Sequence, residues 1–184
     1  MTLEEEVRQL RATVGYLKDR QDILDCIVRE SRGRDRHDTQ LTASCYWPEG
    51  ADEHGPVPFP ATEYPEKANQ GHAAAFSANQ HNLANHICEI QGDTAFCETY
   101  VVGGLLSLDG KTCKLACGRY MDQLEKRGGE WRIQWRRSTV EMVVDGDATW
   151  LNSEPVKGFL KGVRSREDVS YQRPYVIGGP GARW

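Results

Sequence analysis

The hydrophobic pattern of this chain changes character once, near residue 80, and that change does most to restrict the folds open to it. Before it, Leu3, Val7, Leu10, Val14 and Leu17 recur at alternating spacings of four and three, the apolar stripe of a helix, which Ile23, Leu24 and Ile27 extend. Two heptads are too short to define a coiled coil, so the stripe is expected to pack on the domain or on a neighbouring subunit. After the change, four strands read at about 81–91, 94–107, 111–126 and 130–143, with QGD, LDGK and RGG between them at hairpin spacing. Helices first and an antiparallel meander second make an α+β order, with the helices packed on one face of a curved sheet.

Between the two halves, SRGRDRHD breaks the first helix. Gly33 is expected to supply a left-handed C-terminal cap and Asp38 to cap a second helix over TQLTASCYW, which leaves Asp35 in the joint. Residues 48–61 are rich in Pro and Gly and read mostly as loop, with room for a short strand around Ala51 to His54. A third helix is expected after Pro65, where alanine and charged residues dominate. The length of 184 residues suits one domain, expected over residues 1–150, followed by an extension over 151–184.

Charge excludes some partners. With 23 Lys plus Arg against 27 Asp plus Glu, the net charge of −4 offers no footprint for nucleic acid or an anionic membrane surface. No apolar run approaches the roughly 18 residues of a membrane span, and the N-terminus has no apolar export core, so a cytoplasmic protein is expected. Cys26, Cys45, Cys88, Cys97, Cys113 and Cys117 form no CxxC pair or zinc-ligand spacing and read as reduced, structural thiols. Among the histidines only His81 and His86 are close, and five apart on a regular strand they face opposite sides. A metal built from cysteine and histidine stays open in principle, but no ligand cluster, phosphate loop or dinucleotide fingerprint appears in the sequence, so no cofactor is expected.

The strand HNLANHICEI holds the most chemical information. On a regular strand His81, Leu83, Asn85 and Ile87 share a face, and an imidazole, an amide and two aliphatic groups suit a pocket wall. The ordered set of the GRDR joint around Asp35, ADEHG, the H-x-x-x-N strand with its I-x-x-D-T-A turn, and the GRYMD to GEWRI hairpin resembles the SnoaL-like branch of the nuclear transport factor 2-like superfamily. That branch includes scytalone dehydratase and hexachlorocyclohexane dehydrochlorinase.

The resemblance implies a cone-shaped, cystatin-like antiparallel sheet with the N-terminal helices on its concave face and a deep pocket between. It also implies that His81 is a catalytic base and Asp35 the carboxylate that orients it, a pairing that suits proton abstraction near neutral pH. His54 and Tyr120 fall at substrate-binding positions of scytalone dehydratase. The second histidine of that enzyme has no counterpart, because Gly103 and Gly104 stand there. Asn85, an arginine among Arg119, Arg136 and Arg137, and Trp47 complete the expected substrate contacts.

The reading is a cofactor-independent lyase that removes water, halide or a carbon fragment such as formaldehyde from a small hydrophobic, aromatic molecule. A ketosteroid-type isomerase, a polyketide cyclase, and a non-catalytic subunit akin to the small subunit of ring-hydroxylating dioxygenases stay open. The relatives imply a homo-oligomer, a trimer rather than a dimer. Tyr175, Val176, Ile177 and Trp184 in the Pro- and Gly-rich tail suggest a lid or an arm on a neighbour.

Overall fold

A computed structural model describes all 184 residues. The first helix, α1, runs without a break over Leu3–Asp35, started by a capping box in which Thr2 and Glu5 exchange hydrogen bonds. Gly33 therefore lies inside α1 and is not its left-handed cap; the positive φ in the joint belongs to His37, at 50°. What Gly33 supplies is room. A Cβ there would sit 2.8 Å from the Thr42 backbone nitrogen and against its hydroxyl, so only glycine lets α1 and α2 (Thr39–Ser44) pack so closely. Asp38 caps α2 as the sequence suggests, accepting from the Leu41 amide.

Residues Tyr46–Glu53 form a full strand, β1, where the sequence promised a short one. It is reached through a bulge between Tyr46 and Ala51, with Gly50 pressed against the Gln134 carbonyl. A two-residue strand, β2 (Phe59–Pro60), pairs with it, and α3 (Tyr64–Ala75) follows with Pro65 in its first turn. The meander comes next: β3 (Phe76–Gln91), β4 (Thr94–Ser107), β5 (Thr112–Arg127) and β6 (Glu130–Asp147). The order across the sheet is β2-β1-β6-β5-β4-β3. All neighbours are antiparallel except β1 and β6, so the curved, open sheet is mixed rather than wholly antiparallel.

The concave face of the sheet closes on the second half of α1. Ile23, Cys26 and Ile27 pack there with Tyr46, Tyr64, Leu124, Trp131 and Ile133, all buried. Within this core Arg136 is fully buried, donating to both oxygens of Asp122, at 2.6 and 2.9 Å, and to Glu30. The first half of α1 makes no such contact. Leu3, Leu10, Val14 and Leu17 are exposed, so the apolar stripe does not pack on its own domain.

β3 is irregular between Leu83 and His86. Before the irregularity Asn79, His81 and Leu83 face inward; after it His86, Cys88 and Ile90 do. The extra residue moves Asn85 to the exposed side and puts His86 on the same side as His81, opposite to what an unbroken alternation gives.

Beyond β6 the chain turns through short 3-10 segments and returns over the end of α1. Arg36 pairs with Asp168, while Asp38 accepts from Arg166 and from the Tyr171 hydroxyl. Tyr175, Val176 and Ile177 are exposed. No helix is long and apolar enough to cross a membrane.

Candidate active site

The last turn of α1 and the middle of β3 meet at the cavity wall. Asp35 accepts the His81 backbone N–H at 3.0 Å, the Asn79 side-chain amide at 3.1 Å, and the His81 ring Nδ1–H at 2.6 Å. Asn79 also donates to the Arg34 carbonyl, tying the strand to the helix end. With Nδ1 bound to a carboxylate, the neutral imidazole keeps its lone pair on Nε2. Burial, and then the nearby Arg34 charge, hold the His81 pKa below the usual histidine value, with Asp35 opposing them. His81 is thereby set as a neutral acceptor at physiological pH.

The cavity measures about 410 Å³, and Arg34, His54, His72, His81 and Tyr120 supply its polar wall. Val101, Leu105 and Val140 are among its apolar lining. Gly103, directly across from His81 on β4, leaves open space there. Arg34 is the central polar group. It is buried, donates to the Tyr120 hydroxyl at 3.3 Å, and lies 3.4 Å from His54 Nε2 and 3.5 Å from His72 Nε2. Its closest carboxylate, Glu30, is at 4.0 Å.

The arginine and burial set the charge of the whole wall. Burial, then Arg34, push His54 well below the ordinary histidine range and His72 down to about 2, so both are neutral. Burial lifts the Tyr120 phenol to about 12, which keeps it a donor. The cavity thus carries one fixed positive charge, a phenol, and three neutral imidazoles, of which His72 and His81 lie 5.7 Å apart between centroids with their rings tilted by 37°.

The structure brings together four of the residues singled out in the sequence: His81, Asp35, His54 and Tyr120. It separates the others. Asn85 is turned outward by the irregularity in β3. Trp47 donates to the Glu125 carbonyl and stacks on Arg127 and Arg132, away from the cavity. Arg119 lies on the outer face between Glu98 and Glu141, and Arg137 is exposed beside Glu53. Arg136 is inside but beneath the pocket, consumed by Asp122 and Glu30, and its charge sits 4.2 Å from the Tyr120 ring centroid. Arg34, His72 and Asn79 were not anticipated.

A curved sheet closed by helices over a cavity with a buried acid-base pair defines a cone-shaped α+β protein of the nuclear transport factor 2-like kind. The SnoaL-like domain model matches residues 4–137, and the chain belongs to that family. Among solved structures it is similar to a type 2 hexachlorocyclohexane dehydrochlorinase, LinA, at 18% identity and a TM-score of 0.67, covering 73% of this chain and 93% of that one. It is also similar to a candidate scytalone dehydratase from Novosphingobium aromaticivorans, at 17% identity and a TM-score of 0.66, covering 73% and 91%. A third, Rv3472 of Mycobacterium tuberculosis, whose function is unknown, shares 24% identity at a TM-score of 0.63, covering 70% and 75%. No sequence relative is found among curated proteins.

Proposed function

We propose that this protein is a cofactor-independent lyase that eliminates water, halide or formaldehyde from a small hydrophobic, aromatic substrate. The observation that carries the reading is the 2.6 Å contact of His81 and Asp35 at the wall of a half-open, largely apolar cavity. His81 Nε2 takes a proton from a carbon or hydroxyl of the substrate, and Asp35 stabilises the imidazolium formed. The electron pair left behind expels the leaving group. Arg34, with Tyr120 and neutral His54 around it, hydrogen-bonds the oxygen or halide on which negative charge develops. His81 then releases its proton to the departing group or to solvent. The dehydrochlorinase and dehydratase among the similar folds fit this chemistry, and a homotrimer in the cytoplasm that degrades aromatic compounds is part of the same proposal.

The test is turnover of a panel of hydroxylated arylpropanes, cyclic alcohols and chlorinated cyclohexanes, with formaldehyde, water loss and chloride each assayed. General-base help of this kind is worth about a hundredfold to ten-thousandfold in rate. His81→Asn is expected to lose that factor, and Asp35→Asn a large part of it. A His81→Asn protein that turns over a substrate as fast as the wild type would rule out the base. Binding of these molecules with no product from any of them would favour a non-catalytic module.

A further inference from the structure

The irregularity in β3 has a second product. Because it returns His86 to the interior side, His86 and Cys88 stand two apart on one face, and the hairpin register sets Cys97 directly across from Cys88. One donor atom from each of the three side chains lies within 4.8 Å of the others. Cys88 and Cys97 are buried in the core beside Ile23 and Cys26, and none of the three lines the cavity with His81. The His86 ring is oriented: Nδ1 lies 2.8 Å from the hydroxyl of fully buried Thr99, while Nε2 is buried without a hydrogen-bond partner. A ligating histidine has this arrangement, one nitrogen fixed by an outer hydrogen bond and the other free.

We infer that His86, Cys88 and Cys97 form a three-ligand site for a thiophilic divalent cation, Zn²⁺, with water as the fourth ligand. Two thiolates and an imidazole are a soft donor set that prefers such an ion. Bonds of about 2.0 to 2.3 Å need each donor to close by roughly half an ångström, within reach of small side-chain rotations. Binding releases two thiol protons to solvent, and the resulting Zn(S⁻)₂ unit is neutral, which a core site requires. Arg20 of α1 donates to the Cys88 carbonyl at 2.8 Å, so the ion would brace the β3-β4 hairpin where α1 crosses it.

The experiment uses the full-length protein, stripped by chelator and kept reduced, with Co²⁺ as spectroscopic probe. One equivalent of Co²⁺ is expected to give a near-ultraviolet thiolate-to-cobalt band and intense tetrahedral visible bands, both abolished by one equivalent of Zn²⁺, and Zn²⁺ is expected to raise the melting temperature. The bands should persist in Cys113→Ser/Cys117→Ser and vanish in Cys97→Ser. Thr99→Val, which keeps the side-chain shape, should fold normally by circular dichroism and bind Zn²⁺ about 10- to 100-fold more weakly through loss of the outer hydrogen bond. Absence of the thiolate band in the wild type, its survival in Cys97→Ser, its loss in Cys113→Ser/Cys117→Ser, or failure of Zn²⁺ to displace cobalt would each overturn the assignment.

Discussion

Arg34 does more to set the cavity's chemistry than any residue the sequence singled out, because its charge together with burial holds His54, His72 and His81 neutral. Two pH effects follow. With the His81 pKa below the ordinary histidine value of 6.5, kcat/KM should rise through a single ionisation below pH 6.5 and be flat from there to pH 8. Arg34→Gln should move that ionisation upward, as the repulsion is removed. Stability should follow His72, whose pKa is about 2 folded against 6.5 unfolded. Between those values the unfolded chain binds the extra proton, so stability is full above pH 6.5 and falls as the solution is made more acid. His72→Asn should flatten part of the denaturation midpoint's dependence on pH between 6.5 and 4; an unchanged slope would mean that His72 is not held neutral. Asp35 and His81 were legible as candidates because a carboxylate at a helix joint and a histidine on a strand are local features, and the family resemblance implied their pairing. Arg34 and His72 were not, since helical arginine and histidine most often face water and only tertiary packing turns these two inward.

At the scale of elements, period and punctuation carried the reading well where they were strong. The four meander strands were legible to within a few residues over most of their ends, because glycine-containing turns bound three of their junctions. The start of β3 was missed because α3 passes into Phe76 with no turn residue between, and β1 was read too short because Pro48 and Gly50 look like loop while the pairing that makes them strand lies on β6. The displaced phase of β3 belongs to the same class: nothing in HNLANHICEI marks the added residue, and it alone decides that His86 faces inward and Asn85 outward. Two glycines of α1 allow a paired test. Gly15 has no atom near its missing Cβ, so Gly15→Ala should stabilise by up to about 1 kcal/mol through helix propensity. Gly33 faces Thr42, so the same change there should destabilise by about 1 to 3 kcal/mol through overpacking. Urea denaturation of the two variants reads the difference directly, and equal shifts of the same sign would show that α1 and α2 are not packed as closely as described.

The whole molecule leaves apolar surface at both ends of the chain. Leu3, Leu10, Val14 and Leu17 stand exposed along the first turns of α1, and Tyr175, Val176 and Ile177 stand exposed on the tail. Burying one large apolar side chain gains about 1.5 to 3 kcal/mol, so covering either end would be favourable. For the tail there is a second argument. Tyr175 lines a cavity of about 620 Å³ whose wall includes Asp35 and His81, so the tail reaches the far side of the proposed catalytic pair without lining the smaller cavity. Its anchors lie earlier, at Arg166, Asp168 and Tyr171, which hold to Asp38 and Arg36. Truncation after Pro174 keeps those anchors and removes Tyr175 onward. The truncated protein should therefore melt within a few degrees of the full chain while KM rises several-fold, and its mass by light scattering should show whether the tail also joins copies. A truncated protein with unchanged KM would remove the tail from the site, and one that fails to fold would place it in the core instead.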